Sequence, residues 1–193
     1  MGSGKLFLVI GPSGAGKTTL VRALLSDSVF AKKIKRVVSY TTRSLRPTEQ
    51  EGIDYHFINR EEFKRKIERG FFLEWSAVYQ AYYGSAYNEV CSVLEKGRSL
   101  IMVPDRKGAL QILEKLPQAR VIFVAPPSIE ELRERLQSRG VNTFEQIEFR
   151  LKQARQEMKA EETLPLAAYT LINDQFSVAL EELAGYVYKE LGG

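Results

Sequence analysis

The chain of 193 residues has one cysteine, Cys91, one histidine, His56, and one tryptophan, Trp75. A lone cysteine cannot form an internal disulfide and suits a reducing compartment, so a cytoplasmic setting is expected. One Cys and one His also exclude a Cys/His zinc site. Long apolar runs are missing. The opening MGSGKLFLVI is too short in apolar residues for a signal peptide, and no later segment approaches a membrane span. Neither sign of charge dominates: 28 Lys and Arg stand against 24 Asp and Glu, a net +4. With no aromatic-basic platform either, nucleic acid is not an expected partner, whereas small anions are.

The rest is ordinary for a globular domain, 44% hydrophobic and 27% charged, in a chain long enough for one sizeable core. Apolar runs at 6–10, 37–40, 100–103, 121–124 and 170–172 read as short buried strands. Helical patterns lie among them at 17–25, 86–96, 109–115, 145–161 and 178–191. Short, fully apolar strands separated by helices indicate a parallel sheet covered on both faces, an α/β fold. Two regions break the alternation. Residues from about 41 to 87 are rich in aromatics, arginine and turn formers, with alternation at 54–58 and 71–75, and read as a small inserted mixed subdomain. After Pro126-Pro127, Ser128-Ile-Glu-Glu131 and Thr143-Phe-Glu-Gln146 each open a helix as a capping box, with Gly140 as a stop between them. This charged hairpin shows few apolar anchors and is expected to move against the core.

The stretch GPSGAGKT runs from Gly11 to Thr18 between a strand and a helix. Gly11-x-x-x-x-Gly16-Lys17-Thr18 has the spacing and the setting of a phosphate-binding loop. Its glycines let backbone N–H groups turn inward on phosphate oxygens, and the next helix points its positive end at them. Lys17 is placed to reach the β- and γ-phosphates and Thr18 to ligate Mg²⁺. The loop alone does not name the phosphoryl acceptor. Downstream, Ser39-Tyr-Thr-Thr-Arg43-Ser-Leu-Arg46-Pro precedes Glu49, Gly52 and Asp54-Tyr55. Two arginines three apart, with Tyr55 and Tyr83, supply planar donor forks and neutral hydroxyls suited to a phosphate monoester. A second anion site after such a loop is what a nucleoside monophosphate kinase requires.

The ordered motifs then resemble one family. S-x-T-T-R-x-x-R-P, E-x-x-G-x-D-Y-x-F, Phe72-Leu73-Glu74-Trp75, Tyr82-Tyr83-Gly84-Ser85, P-P-S, Arg135-Leu-Gln-Ser-Arg139 and Arg150-Leu151 with Glu157-Met158 follow the loop in the order of guanylate kinases, across nearly the whole chain. The resemblance implies a P-loop NTPase-type parallel sheet as core (1–40, 88–126 and 158–193), a GMP-binding subdomain (about 41–87) and a helical lid (about 127–157). It implies that Ser39, Glu74 and Ser85 hold guanine, with Arg43, Arg46, Tyr55 and Tyr83 on the GMP phosphate. Arg135, Arg139 and Arg150, with Lys17 and Arg46, would serve the transferring phosphoryl group. Gly11, Pro12, Ser13, Gly14, Ala15, Gly16, Lys17, Thr18, Thr19 and Asn173 would bind ATP, Thr18 completing the Mg²⁺ site.

After the strand at 100–103 the family usually has an acid, an apolar residue and then Asp-x-Gln-Gly. This chain has Val103-Pro104-Asp105-Arg106-Lys107-Gly108. Asp105 survives and is counted with the GMP-binding set, although an Asp there also reads as a helix cap. The first acid and the glutamine are replaced by Val103 and Lys107. The expected activity is ATP- and Mg²⁺-dependent phosphorylation of GMP to GDP. Two alternatives stand beside it: a guanylate-kinase-like module that binds phosphopeptides, and a related kinase acting on another small phosphate ester. The intact Gly16-Lys17-Thr18 argues against the first, and Ser39 together with Glu74 against the second.

Overall fold

A computed structural model describes residues 4–47, 49–78, 80–138 and 143–192. The apolar run at the start forms β1 (Leu6–Ile10), buried along its whole length. It is the middle strand of a five-stranded sheet that also holds β2 (Ile34–Arg36), β7 (Ser99–Met102), β8 (Arg120–Ala125) and β9 (Tyr169–Ile172), in the order β2-β7-β1-β8-β9. The β2–β7 and β8–β9 pairs are parallel. The expected α/β architecture with a helix-flanked parallel sheet is therefore present. Among the described residues no helix is long and apolar enough to cross a membrane.

The chain divides into two compact units. One comprises Met1–Phe7 and Lys33–Ala119. Besides β2 and β7 it contains a second, mixed sheet, ordered β4 (Tyr55–Phe57), β3 (Ser39–Thr41), β6 (Ala81–Ala86), β5 (Phe72–Val78). Three helices accompany it: α3 (Arg60–Glu68), α4 (Tyr87–Glu95) and α5 (Arg106–Lys115). One face of this sheet is closed by α3, whose fully buried Phe63 stacks on Phe72 at 4.4 Å and on Tyr82 at 5.3 Å between ring centroids. That aromatic stack pins the register, because a slip of one residue would carry Phe72 and Tyr82 to the opposite face.

The other unit comprises Leu8–Lys32 and Arg120–Gly193. It carries the glycine-rich loop, α1 (Lys17–Ser26), β8, β9, α6 (Ile129–Ser138), α7 (Phe144–Thr163) and α8 (Phe176–Glu190), with α1 packed on α8. A further short helix, α2 (Ser28–Lys33), follows α1. The capping box predicted at Thr143 is formed, each of Thr143 and Gln146 bonding the other's main chain. Ser128 Oγ accepts from the Glu131 N–H at 3.0 Å, as its sequence implies.

Two expectations are corrected. The run at 37–40 is not one strand. The chain leaves the parallel sheet after Arg36 and enters the mixed sheet at Ser39, so β2 and β3 flank the switch. The hairpin of α6 and α7 is not poor in anchors either: Leu132, Leu136, Ile147, Leu151 and Ala154 form a buried apolar cluster, joined by Ile129. Their spacing of three and four residues gives each helix one apolar stripe. The stop expected at Gly140, and Arg139 beside it, lie outside the described residues.

Candidate active site

In the unit that holds the glycine-rich loop, the turn is set by backbone geometry that only glycine adopts without strain. Gly16 has φ 93°, and a methyl there would come within 2.2 Å of Asn173 Nδ2. That amide donates to the Ala15 carbonyl at 2.7 Å, so buried Asn173, at the end of β9, braces the loop from below. The loop also rests on α6, where a methyl on Gly14 would meet Leu132 Cδ1 at 2.8 Å. No side chain caps α1. The N-cap is a glycine with no side chain to offer, and the N-terminus of such a helix is a favourable place for an anion. Lys17 folds back over the loop, its Nζ donating to the carbonyls of Gly11 at 2.5 Å and Pro12 at 2.8 Å. Thr18 and Thr19 stand exposed on the first turn of α1.

Two predicted arginines reach this neighbourhood. Arg135 Nη2 donates to the Asn173 carbonyl at 2.8 Å and to Glu131 at 3.2 Å. Arg150 Nη1 lies 3.5 Å from Ser13 Oγ. Among the described residues no group of three or more His, Cys, Asp or Glu could hold a metal ion. The Thr18 hydroxyl fits Mg²⁺, which keeps most of its waters and takes few protein ligands beside nucleotide phosphates.

The mixed sheet of the other unit gathers a second set. Ser39 is registered with Tyr55, and Glu74 with Ser85. The antiparallel β3–β6 register, Tyr40 with Gly84, brings Ser39 opposite Ser85 one step further on. Tyr55, Ser39, Ser85 and Glu74 therefore form one row across four strands, and residues directly opposite share a face. The hydroxyls of Ser39 and Ser85 are 3.0 Å apart. Ser85 Oγ in turn donates to Glu74 Oε1 at 2.7 Å. Since Ser85 has one proton and gives it to Glu74, Ser39 is the donor to Ser85.

Glu74 is 5% exposed and Ser85 fully buried. Burial pushes the Glu74 carboxyl up from 4.5 to about 7, opposed by the Ser85 hydrogen bond; Asp105 adds to the rise and Lys115 reduces it. Asp105 caps α5, accepting from the Gly108 N–H at 2.7 Å, so its reading as a cap holds. Gly108 itself is a seat for the acid: a methyl there would lie 2.6 Å from Glu74 Oε2. Lys107, in the place of the family's glutamine, sets its ammonium 5.8 Å from the centre of the Trp75 ring.

Further along the sheet, Arg43 grips Glu49 through two parallel bonds of 2.9 and 2.8 Å, and Nη1 also donates to the Ser44 carbonyl at 2.8 Å. Glu49 holds the Arg43 guanidinium pKa above its ordinary value, and Tyr83 adds to this. The Arg43 guanidinium lies 5.5 Å from the Tyr55 ring centre, and the Tyr55 and Tyr83 rings are 5.9 Å apart. Arg46 is exposed, its backbone N–H held by Glu49 at 3.1 Å. Sequence reading did not single out Glu49 as the partner of Arg43, nor Arg36, which donates to the Asp54 carbonyl at 2.6 Å. Glu49, six residues beyond Arg43 in a turn-rich segment, was the available signal.

The family model described as guanylate kinase matches residues 3–190. The chain belongs to the guanylate kinase family. It is 43% identical to the guanylate kinase of Hahella chejuensis, over 95% of this chain and 85% of that protein. With the guanylate kinase of Vibrio cholerae it shares 40% identity, over 98% of this chain and 90% of the relative. A crystal structure of guanylate kinase from Anaplasma phagocytophilum superposes with a TM-score of 0.79 at 29% identity, covering 98% of this chain and 87% of that one. Family membership fits the two separate anion-directed constellations, one on the glycine-rich loop and one on the mixed sheet. The departure at Val103 leaves a half-buried apolar side chain, while the second acid of the pattern remains as Asp105.

Proposed function

We propose that this protein transfers the γ-phosphoryl group of ATP to the phosphate of GMP, forming ADP and GDP. The observation that carries this reading is the buried row Ser39–Ser85–Glu74. Guanine presents N1–H and its 2-amine side by side, with O6 adjacent. The Glu74 carboxylate accepts from both donors and Ser39 turns its proton to O6. Adenine reverses that edge, leaving Glu74 against a lone pair. Arg43 and Arg46, with the hydroxyls of Tyr55 and Tyr83, receive the GMP phosphate.

On the ATP side, Lys17 and the N-terminus of α1 hold the β- and γ-phosphates. Thr18 would hold Mg²⁺, which when bound would supply charge neutralisation at those phosphates. Phosphoryl transfer needs in-line positioning and positive charge at the flattening γ-phosphate more than covalent help. Arg135, Arg139 and Arg150 supply that charge from the hairpin and its edge. A GMP phosphate oxygen then bonds to the γ-phosphorus as the bond to the bridging oxygen of ADP breaks. On this reading residues about 41–87 act as the acceptor subdomain and about 127–157 as a lid that excludes water. Cytoplasmic ATP and GMP are the substrates.

A coupled ADP-release assay with GMP, AMP, UMP and no acceptor tests the proposal. Release should follow GMP alone, with AMP slower by roughly a thousandfold or more. Equal rates with AMP would remove the role given to Glu74. The seat at Gly108 gives a milder test. Gly108→Ala should raise KM for GMP about tenfold by displacing the Glu74 carboxylate, with KM for ATP unchanged. Its melting temperature should change by only a few degrees, the gain of a better helix former offsetting part of the cost of displacing a buried carboxylate. An unchanged KM for GMP would mean that the aim of Glu74 is immaterial.

A further inference from the structure

The strand that carries Glu74 is the edge strand of its sheet, with β6 on one side only. Its free edge meets α5. Gly108, Gln111 and Lys115 recur at three and four residues and share one face of that helix. Gly108 seats Glu74 Oε2. The Gln111 side chain acts as a short mock strand: Oε1 accepts from Trp75 N–H at 3.1 Å and Nε2 donates to the Trp75 carbonyl at 2.9 Å. Lys115 Nζ donates to the carbonyls of Leu73 at 2.6 Å and Phe72 at 3.3 Å.

These contacts straddle an irregularity. Phe72 pairs with Ala86 but Glu74 with Ser85, so the β5–β6 register slips by one residue between Phe72 and Glu74. A bulge of this kind re-aims the side chain that follows it. Without the slip, the alternation set by Phe72 would carry Glu74 to the face closed by Phe63. Leu73 is fully buried and Phe72 nearly so, so Lys115 satisfies carbonyls that the packed helix shields from water, and it does so at fixed positions on the strand. What Lys115 and Gln111 add is position, on both sides of Glu74.

We propose that Lys115 and Gln111 are positioning residues for guanine recognition: by holding the β5 bulge from α5 they aim the Glu74 carboxylate at the base. This rests on the GMP kinase reading. Lys115 has a second effect, since its charge favours ionised Glu74 while Asp105, also on the α5 side, opposes it; on β6, Ser85 bonds the carboxylate through both its hydroxyl and its main-chain N–H.

The test is steady-state kinetics of the full chain with GMP, IMP and ATP varied, at several pH values, for wild type, Lys115→Met, Lys115→Arg and Gln111→Met. IMP lacks the 2-amine that Glu74 accepts. Lys115→Met should raise KM for GMP roughly tenfold and shrink the GMP-over-IMP preference, leaving KM for ATP within about twofold. Acidification protonates Glu74 and raises KM for GMP, and in Lys115→Met this rise should begin at higher pH. Lys115→Arg should restore both. Gln111→Met should show the KM split without the pH displacement, and it decides the matter if Lys115→Met does not fold. Unchanged KM for GMP in both Met variants, equal losses toward GMP and ATP, or no rescue by arginine would overturn the proposal. Wild type with no GMP-dependent ADP release would overturn the kinase reading itself, and this inference with it.

Discussion

Replacing Lys17 with alanine should lower kcat about a thousandfold while GMP still binds with near wild-type affinity. The Gly11 and Pro12 carbonyls fix the ammonium at the glycine-rich loop before any nucleotide arrives. Preorganised charge of this kind acts where negative charge shifts in the transition state, and removing one such donor typically costs about 10²–10³ in rate. The structural cost is limited, because the side chain is only half-buried and its bonds to the loop carbonyls, at most about 1.5–3 kcal/mol each for a charged donor, are partly replaced by water. Kinetics, calorimetric GMP titration and a melting curve check the three parts together. Activity within tenfold of wild type would separate the loop from the chemistry.

Glu74→Gln should have the opposite signature, losing function while gaining stability. A glutamine offers one acceptor oxygen and presents an amide N–H to a guanine donor, so kcat/KM for GMP should fall about a thousandfold. Stability runs the other way because the carboxyl is buried. Its pKa stands at about 7 in the folded protein against 4.5 as the ordinary value. Below the lower value both states hold the proton. Between the two, the folded state retains a proton that the unfolded state releases, so stability falls as pH rises. Above the upper value the cost is complete, on the order of 3 kcal/mol. Glutamine carries no such charge. The melting-temperature gap in favour of Glu74→Gln should therefore open as pH rises from 5 to 8. A gap that is flat, or opens toward acid, would contradict this account of Glu74.

Much of this was legible in the sequence because certain side chains leave few choices. The run at 6–10 has no polar position and can only be a strand buried on both faces. Thr143 and Gln146 announce a capping box and form one. Gly16-Lys17-Thr18 after a strand announces a tight glycine turn into a helix, and Gly16 at φ 93° leads into α1 as expected. Other features hid for identifiable reasons. Helix α3 buries only Phe63 among charged neighbours, so its periodicity is weak, although Asn59 does cap it. Gly84 in Tyr82-Tyr83-Gly84-Ser85 looks like a turn, yet it lies inside β6, where a methyl would meet the Glu74 carbonyl at 2.9 Å. The switch of the chain between sheets after Arg36 leaves no mark in a run of apolar residues. The bulge before Glu74 is a matter of register, and register belongs to pairs of strands rather than to either alone. Gln111 and Lys115 read as ordinary helix surface until β5 is beside them.

The central claim is that the γ-phosphoryl group goes to a guanine nucleotide and not to water. Phosphorus NMR of a single reaction with ATP, Mg²⁺ and GMP follows that group directly. The account predicts one GDP, with its new β-phosphate resonance, for each ADP formed, and no growth of inorganic phosphate. Inorganic phosphate accumulating while GMP stays unchanged would contradict it.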